Sequence, residues 1–595
     1  MKLRTTPQRP RSARSTLRRL GRYLMRSAPM LALALILTLA GNVFALIGPT
    51  LCGYAIDATA AGRGGVRFDV VFYYAWRMLA LYVLSALMNY VVSLLILRVS
   101  QRTVRAMRAD VFAKLMKLPV GYFDRRQAGE ILSHITYDID TVNASLSNDL
   151  VQILTSAVTV AGALIMMLRI SPVLVTVFAV TVPLSILLTR VRTRRVRPLY
   201  SSRSRKLGEL NGFVEEYVSG MKTIRAYHRE ADALRRFDEK NEQAVQSYYD
   251  AEYYGSATGP SVNFINNLSL TLISLFGSLL YLGGRLSIGS ISSFVLYSRK
   301  FSGPINETAN ILSELQSALA AAERVFLLLD EPEEPADLPG APKLRVTQGE
   351  VTFSHVNFGY DPGRPTLRDV SLRARPGGMI AIVGPTGAGK TTLVNLLMRF
   401  YDPRSGTIAI DGQPIGEVTR SSLRGAFSMV LQETWLFNGT VYDNIAYGAP
   451  GATREQVAAA AKATHIHAMI ERLPDGYDTV LTEDGLNLSK GQKQLMTIAR
   501  AMLQPAQLLI LDEATSNVDL RTEMRIQAAM RRLMRDKTCF VIAHRLSTIR
   551  GADLILVVRD GAIVEQGTHA QLMRQNGFYA RLSRNSAVES DALEL

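Results

Sequence analysis

Cysteine is scarce in this sequence. Two cysteines occur among 595 residues, Cys52 within an apolar run and Cys539 within a run that has β-strand character. Two cysteines in such settings make a disulfide framework a poor explanation for the fold, and we expect both to be small buried side chains. A reducing cytoplasm suits the second half of the chain, where Cys539 lies.

Acidic residues are absent from residues 1–28, which carry many arginines together with serine and threonine. We interpret this segment as a basic cytoplasmic tail that fixes membrane orientation, because basic residues beside membrane spans stay on the cytoplasmic side. A mitochondrial transit peptide has the same composition and stays open as an alternative. A secretory signal is disfavoured, since the apolar run that follows is too long.

Charged side chains are largely missing from long runs in the first half, although 48% of the whole chain is hydrophobic and its net charge is +17. The runs predict six membrane-spanning helices, at about residues 30–56, 70–99, 150–168, 173–188, 261–282 and from 288 onward. Each run is about long enough to cross a ~30 Å hydrocarbon core as a helix. The positive charge alone admits nucleic acid or an anionic membrane as a partner, and the runs decide for membrane lipids and against nucleic acid.

The connections between the predicted spans alternate between short and long. The long ones follow spans two and four, and their polar, helix-prone sequences predict legs that project into the cytoplasm. Two leg segments stand out, residues 119–124 and 212–225, although amphipathic helices that pack on their neighbours would look the same. Span six is expected to continue as one helix to residue 329, and the prolines and acids of residues 330–339 predict a solvated linker.

A glycine-rich loop follows the β-prone run 379–383 and precedes the helix-patterned run 393–398. The loop comprises Gly384, Pro385, Thr386, Gly387, Ala388, Gly389, Lys390, Thr391 and Thr392. Strand, glycine loop and helix start are the context that a P-loop requires, because backbone N–H groups close around phosphate oxygens there. Lys390 can reach the β- and γ-phosphates of a nucleotide, and the Thr391 hydroxyl can ligate Mg²⁺. The sequence therefore predicts ATP or GTP binding.

Two carboxylates, Asp512 and Glu513, follow the apolar run 507–511. A strand that ends in a solvated acidic pair is the structural alternative. An aspartate at the end of a neighbouring strand in a P-loop domain can hold Mg²⁺, directly or through water, and the next carboxylate can deprotonate the attacking water. We therefore predict Asp512 as a magnesium residue and Glu513 as the general base.

Between the P-loop and this acidic pair lies the sequence Leu-Ser-Lys-Gly-Gln, residues 488–492, and His544 follows a later apolar run. In this order and spacing the motifs resemble the nucleotide-binding domain of ATP-binding cassette (ABC) transporters. Lys490 departs from that family's Leu-Ser-Gly-Gly-Gln pattern. The resemblance covers the second half of the chain closely, and the six predicted spans resemble the membrane half of the family's exporter half-transporters.

The resemblance implies further roles at matching positions. Tyr360 resembles the aromatic residue that stacks on adenine, although a core tyrosine is the structural alternative. Gln432 resembles the glutamine that touches Mg²⁺ and the attacking water. His544 is implied to contact the γ-phosphate, Asp519 to face the opposite subunit, and Glu483 to belong to a loop that contacts the partner. The two leg segments resemble coupling helices, centred on residues 122–123 and 215–216, and the second docks on the opposite subunit in this family.

In the family, two nucleotide domains close head to tail around two ATP molecules, and a partner subunit is required. The residues implied to contact the partner's ATP are Ser489, Lys490, Gly491 and Gln492. Lys490, the variant residues 516–519 and the following residues 520–523 resemble one half of heterodimeric multidrug-type exporters, which favours a heterodimer. A homodimer stays open as the alternative.

The predicted cargo is hydrophobic or amphipathic, either a small molecule or a lipid, because the spans are mostly free of charge. Asn263, Asn266 and Asn267 fall in span five, where hydrogen bonding between helices is favoured over lining a cavity. Arg77 lies near the end of span two, where its side chain can reach the interface. A homodimeric lipid flippase, a peptide exporter, an ATP-gated channel and a regulatory subunit remain alternatives.

The sequence therefore predicts a multidomain chain, with an all-α six-span transmembrane domain and long cytoplasmic helices followed by an α/β P-loop nucleotide-binding domain. We place the domains at residues 1–28 (tail), 29–327 (transmembrane), 328–348 (linker), 349–586 (nucleotide-binding) and 587–595 (tail). The predicted protein exports its cargo by ATP-driven alternating access, as half of a dimer, with ATP and Mg²⁺ as cofactors. We expect it in the bacterial inner membrane, with its N-terminus and nucleotide-binding domain in the cytoplasm.

Overall fold

The computed structural model describes residues 13–59, 66–361, 363–432, 434–481, 488–512, 519–542 and 549–591. Residues group into two compact units. The helical unit comprises the described residues of Met1–Lys117 and Gln127–Pro332, and the sheet unit comprises those of Leu118–Arg126 and Glu333–Leu595. The short segment Leu118–Arg126 therefore belongs to the sheet unit, although the chain enters and leaves it from the helical unit.

The described part of the helical unit contains long helices joined by shorter ones. They are α1 (Ala13–Met25), α2 (Ala28–Asp57), α3 (Phe68–Leu115), α5 (Ala128–Ser133), a π-helical turn (His134–Asp138), α6 (Ile139–Ile170), α7 (Pro172–Ser219), α8 (Met221–Ala226), α9 (Glu230–Ser256), α10 (Thr258–Leu282) and α11 (Ile288–Asp330). Helix α4 (Val120–Asp124) lies in the sheet unit.

Five helical stretches in the described part of the chain are long and apolar enough to cross a membrane. They are Ala28–Asp57, Phe68–Leu115, Ala128–Ile170, Pro172–Ser219 and Glu230–Leu282. Each of the first five predicted spans lies inside one of them. The predicted sixth span begins at the first residue of α11, and α11 runs without a break to Asp330, which confirms the prediction of one continuous helix there.

Local chemistry sets where the helices begin. Ser171 caps α7 through its hydroxyl, which accepts a hydrogen bond from the Leu174 N–H at 3.4 Å, and Pro172 occupies the first turn, where its missing N–H costs nothing. At the start of α11, the Asp57 carboxylate from the end of α2 accepts hydrogen bonds from the Gly289 N–H (2.8 Å) and the Ser287 hydroxyl (2.7 Å). These contacts join α2 and α11 at one end.

A hydrogen-bonded cluster around a buried carboxylate lies at the π-helical turn. Asp138 exposes 3% of its side chain and accepts hydrogen bonds from both Nε (3.0 Å) and Nη2 of Arg324 on α11. His134 Nδ1 lies 2.7 Å from Asp138 Oδ2, the carboxylate oxygen that also accepts from Arg324 Nε. The π-helical turn carries one extra residue in the helix, and such turns redirect side chains locally. The cluster therefore joins α11 to the start of α6.

The asparagines of α10 are placed by their neighbours. Asn266 lines a cavity of about 20 Å³ together with Thr181, Ser185 and Ser269. A space of that size holds about one water molecule and no larger cargo. The Thr181 hydroxyl also donates to the Ser269 hydroxyl across α7 and α10 at 3.4 Å. Asn266 thus lies beside a polar contact between α7 and α10, and hydrogen bonding of Asn263, Asn266 and Asn267 between helices stays a prediction.

The sheet unit contains short strands. They are β1 (Val351–Phe358), β2 (Leu367–Ala374), β3 (Met379–Val383), β4 (Ser405–Ile410), β5 (Gln413–Pro414), β6 (Phe427–Val430), β7 (Gly439–Thr440), β8 (Val480–Leu481), β9 (Leu508–Asp512), β10 (Thr538–Ile542), β11 (Leu554–Arg559) and β12 (Ala562–Gly567). Its further helices are α12 (Lys390–Leu397), α13 (Arg420–Gly425), α14 (Val441–Ala446), α15 (Arg454–Ala463), α16 (His467–Ile470), α17 (Lys490–Leu503), α18 (Leu520–Met534), α19 (His569–Gln575) and α20 (Phe578–Asp591), with a 3₁₀ turn at Gly476–Asp478.

The larger sheet has the strand order β12-β11-β3-β10-β9-β6 and is parallel except for β12, and a smaller sheet has the order β2-β1-β4-β5. Parallel strands are buried on both faces, which explains why they read as continuous apolar runs. Ile380 and Ile382 of β3 face one hydrophobic core, whereas Ala381 and Val383 face the other. The predicted fold class, a helical membrane domain followed by an α/β P-loop domain, is confirmed.

The acidic segment after α11, predicted as a solvated linker, is held to the sheet unit by ion pairs. Its carboxylates contact the sheet unit, where Glu334 pairs with Arg424 at 2.5 Å and Asp337 with Arg420 at 3.0 Å. The Arg420 guanidinium is 8% exposed, so the buried charge depends on these partners. Acidic composition alone indicated only a solvated linker.

The two cysteines differ in burial. Cys539 is 1% exposed in β10, and burial raises the pKa of its thiol to about 12, so it stays a neutral side chain. Cys52 in α2 is only partly buried. Neither forms a disulfide.

Candidate nucleotide-binding site

The P-loop joins β3 to α12, as its sequence predicts. Gly389 adopts a φ of +105°, and a Cβ atom there would lie 2.8 Å from the Leu367 side chain, so the last turn before α12 needs glycine. At Gly384 a Cβ atom would meet the carbonyl oxygen of Val558 at 2.1 Å. The glycines therefore let the loop pass close to neighbouring backbone on both sides.

Lys390 is the first residue of α12 and is 8% exposed. Its ammonium donates hydrogen bonds to the carbonyl oxygens of Gly384 (2.8 Å) and Pro385 (3.0 Å), which places the charge inside the curve of the loop. Residues 385–387 and Thr391 are exposed. A buried ammonium, accessible loop residues and a helix N-terminus together suit a phosphate chain.

Tyr360 lies beside the loop and is 46% exposed, which is more than a core tyrosine exposes. Its hydroxyl lies 3.3 Å from the Thr392 hydroxyl and accepts a hydrogen bond from the Asn395 amide at 3.2 Å. The ring edges of Phe358 and Tyr401 support it, each with centroids 5.0 Å away and nearly perpendicular planes. The remaining ring surface is a rigid platform for a flat group such as adenine.

Asp512 ends β9, and its Cα atom pairs with that of Ile542 at the end of β10. The P-loop strand β3 lies on the other side of β10, so one strand separates β9 from β3. The sequence analysis placed Asp512 on a neighbouring strand, and the strand order corrects that detail. All three strands are parallel, so their carboxyl ends share one edge of the sheet. Glu513 and His544 lie outside the described residues.

Gln432 follows β6 and is exposed. Strand β6 pairs in parallel with β9, and Val430 lies opposite Leu511. The glutamine therefore leaves the sheet at the same edge as Asp512. Glu483 lies outside the described residues.

Ser489, Lys490, Gly491 and Gln492 form the start of α17 and act on one another. The Ser489 hydroxyl accepts from the Gln492 N–H (3.3 Å), and the Gln492 side chain accepts from the Ser489 N–H (2.9 Å). This is a capping box, and the Ser-x-x-Gln spacing was a readable signal for it that the functional interpretation overlooked. Lys490 is exposed at the first helical position, and Gly491 is buried.

Asp519 caps α18 by accepting a hydrogen bond from the Thr522 N–H at 3.0 Å. That hydrogen bond lowers the pKa of the Asp519 carboxyl, which is fully exposed. Hydrogen bonds thus connect Tyr360 with the P-loop helix α12, whereas residues 489–492 and Asp519 each organise the start of their own helix.

The described residues also contain a contact that the sequence analysis missed. The Tyr401 hydroxyl donates to the Asp124 carboxylate on α4 at 2.6 Å, and a Cβ atom on Gly121 would lie 2.8 Å from the Tyr401 ring. Burial, followed by the Asp124 hydrogen bond and charge, raises the pKa of Tyr401, so the phenol stays protonated and can donate. No local pattern pairs two side chains so far apart in the chain.

The second leg segment, residues 212–225, is almost wholly exposed. Phe213 and Tyr217 stack on each other with centroids 4.0 Å apart, while Val214, Val218 and Met221 expose 38%, 63% and 42% of their surface. Apolar side chains left uncovered on a polar segment are typical of a surface that another chain covers.

Comparison with known proteins identifies the family of this chain. The model of the ABC transporter transmembrane region matches residues 31–305, and the ABC transporter model matches residues 367–516. The fatty acid ABC transporter ATP-binding/permease protein of Mycobacterium bovis is 44% identical over 605 residues, with 95% of each chain covered. The ATP-dependent lipid A-core flippase of Chromobacterium violaceum is 35% identical over 515 residues, 86% of this chain and 88% of that protein.

A solved structure, that of a bacterial Atm1-family ABC exporter with ATP bound, superposes with a TM-score of 0.76 at 32% identity, covering 94% of this chain and 98% of that chain. Membrane helices and a P-loop unit in one chain define an ATP-hydrolysing membrane transporter. The chain belongs to the ABC transporter family and is an exporter-type half-transporter. It is an integral membrane protein that binds ATP, and exporters of this family act as dimers.

Replacing Tyr360 with alanine is expected to weaken ATP binding about tenfold, because stacking on a base is worth about 1–3 kcal/mol. Tyr360→Phe keeps the ring and should stay close to the parent protein. Equilibrium binding of a fluorescent ATP analogue measures both variants. An unchanged affinity in Tyr360→Ala would make Tyr360 a structural residue only.

Proposed function

We propose that this protein exports an amphipathic, lipid-like substrate by ATP-driven alternating access, as one half of a dimer. The observation that carries the proposal is that α4 belongs to the sheet unit, where Tyr401 contacts Asp124, while the chain continues from α4 into the helical unit at both ends. A conformational change in the sheet unit would move α4, and the chain that continues from α4 would transmit the change to the helical unit. ATP binding then shifts a two-state equilibrium by its differential affinity for the closed form.

A fatty acyl or lipid cargo is supported by the names of the relatives, a fatty acid transporter and a lipid A-core flippase. The test is reconstitution of the purified chain in proteoliposomes with a labelled long-chain fatty acid or a labelled phospholipid. We expect ATP-dependent movement of one of them and stimulation of ATP hydrolysis. A peptide or drug cargo in place of both would overturn the lipid assignment.

We propose the following roles at the ATP site. Lys390 and the loop hold the phosphates, Tyr360 carries adenine, and Glu513 is the base, with His544 at the γ-phosphate. Thr391, Gln432 and Asp512 would hold Mg²⁺, which supplies charge neutralisation on the phosphates when it is bound. Hydroxyl, amide and carboxylate oxygens suit that hard cation, and the exposure of Thr391 and Gln432 fits this role.

The second subunit would complete each site with Ser489, Lys490, Gly491 and Gln492, whose helix N-terminus suits the γ-phosphate. Asp519 and Glu483 would communicate between subunits, and the exposed residues 212–225 would dock on the partner.

The heterodimer stays a prediction that rests on Lys490, the variant residues 516–519 and residues 520–523. Expression of this chain alone, followed by measurement of oligomer mass and ATP hydrolysis, tests it. A fully active homodimer would overturn it.

We also propose the bacterial inner membrane as the location, with residues 1–28 and the P-loop unit in the cytoplasm, because the basic residues cluster around the long loops. The domain limits given above, with a linker at residues 328–348, stand as part of this proposal. Labelling of single introduced cysteines with an impermeant reagent tests the orientation, and labelling of residue 20 from outside intact cells would contradict it.

Tyr401→Phe removes one hydroxyl and is expected to uncouple hydrolysis from transport. The ring contact with Tyr360 remains, so ATP affinity should stay close to the parent value, whereas the lost hydrogen bond to Asp124 is worth about 1.5–3 kcal/mol. The measurement is the number of substrate molecules moved per ATP hydrolysed.

The matched control for that variant is Tyr442→Phe, which removes another tertiary hydrogen bond of the sheet unit, from the tyrosine hydroxyl to the Ala452 carbonyl at 2.6 Å. It should leave the transport ratio unchanged. Equal loss in both variants would mean that Tyr401 contributes stability alone.

A further inference from the structure

A second cavity lies in the sheet unit, lined by none of the predicted ATP-site residues. Its volume is about 580 Å³, within the range of small-molecule sites. The residues that line it are Lys462, His465, His467, Ala468, Arg521, Met524, Arg525 and Ala528. We call it the basic cleft.

One wall of the basic cleft is a single face of α18. Arg521, Met524, Arg525 and Ala528 recur at the spacing of neighbouring helical turns, so their side chains line up along that face. Asp519 caps this helix and therefore fixes where the face begins.

The opposite wall comes from the corner between α15 and α16. His465 has a φ of +58°, a left-handed conformation that ends α15 and reverses the chain. This reversal brings Lys462, His465 and His467 to one side. Arg532 on α18 donates a hydrogen bond to the Ala463 carbonyl oxygen at 3.2 Å, which joins α18 to the end of α15.

The charge of the cleft is one-sided. Among the described residues none of those that line it is a carboxylate, while three are arginine or lysine and two are histidine. His467 has a close acidic partner, Glu471, at 3.1 Å, and Arg525 acts through its charge on Asp519 at the start of α18. Arg521 and Arg525 lie one turn apart, and Met524 between them is 64% exposed.

We propose that the basic cleft binds a phosphate-bearing anion at a site separate from the P-loop. Two arginines one turn apart can each offer paired N–H donors to phosphate oxygens, and Lys462 adds a point charge from the opposite wall. Met524, Ala468 and Ala528 give an apolar floor for the organic part of the ligand. Such a ligand would bridge α18 to the α15–α16 corner and hold the first turn of α18, which starts at Asp519.

The experiment is isothermal titration calorimetry on the full chain in detergent, carrying Lys390→Ala so that the P-loop does not contribute. Inorganic tripolyphosphate is the first probe and glycerol 3-phosphate, a mimic of a lipid headgroup, is the second. The test variant adds Arg521→Gln and Arg525→Gln, both at exposed positions. The control adds Arg531→Gln, which removes an exposed arginine from the same helix outside the cleft.

We expect tripolyphosphate to bind the parent and the control equally and to bind the test variant at least about tenfold more weakly. If glycerol 3-phosphate behaves in the same way, the ligand is a lipid headgroup, and if only tripolyphosphate does, it is a soluble polyphosphate. Either result supports a phosphate site. No binding to the parent, equal weakening in the control, or binding of a hexaglutamate peptide in place of both phosphates would overturn it.

Discussion

A Glu513→Gln protein is expected to bind ATP with nearly the parent affinity and to hydrolyse it at least about 100-fold more slowly. Glutamine has the shape of glutamate but cannot accept a proton from the attacking water. ATP binding is expected to depend on other groups, chiefly the buried Lys390 ammonium and the glycine loop, and the substitution leaves these unchanged. Steady-state hydrolysis and equilibrium binding of a fluorescent ATP analogue measure the two effects separately.

The control for this variant is Glu523→Gln. Glu523 is also a carboxylate on the segment after β9, but it accepts a hydrogen bond from the Gln527 side chain at 3.0 Å within α18. Its replacement should leave both hydrolysis and binding close to the parent values. Undiminished hydrolysis in Glu513→Gln would remove the general-base role from Glu513.

An Arg324→Leu protein is expected to lose about 3–5 kcal/mol of stability, because it leaves the buried Asp138 carboxylate without its main cationic partner. Only His134 would remain beside that carboxylate. We expect the apparent melting temperature in detergent to fall by several degrees or more. Size-exclusion chromatography of heated samples measures it.

The matched control is Arg108→Leu in the same helical unit. Arg108 pairs with Asp140 at 2.6 Å, but both side chains are about half exposed, at 45% and 59%. Exposed pairs are worth about 0–1 kcal/mol, so the melting temperature should change little. Equal falls in melting temperature in the two variants would show that the Arg324 pair with the buried Asp138 carboxylate stabilises the protein no more than an exposed pair does.

Features with a local signal were predictable from the sequence. The P-loop with its flanking strand and helix was predictable, because glycine spacing, apolar runs and helix starts are each encoded within a few residues. The same holds for the membrane helices, whose apolar length is set by the thickness of the bilayer. The capping box of Ser489 and Gln492 was also predictable, because the Ser-x-x-Gln spacing is a local signal for it.

Features that depend on distant partners were not predictable. The insertion of β10 between β3 and β9 follows from the order in which strands pair, and no single strand carries that information. Tyr401 could not be identified from the sequence, because the helices α5 to α11 separate it in the chain from its partner Asp124. The pairing of Asp138 with Arg324 has the same character.

The sequence by itself determined that this protein has membrane-spanning helices and a phosphate-binding loop, because hydropathy runs and the glycine loop are local patterns with a direct physical cause. The order of its motifs carried the resemblance to ABC exporter half-transporters. Only the tertiary structure decided which side chains meet. It placed Asp124 on Tyr401, Tyr360 on the P-loop helix, and the two walls of the basic cleft opposite each other. Those contacts join segments that the chain keeps apart, so they exist only when packing of the whole unit brings them together.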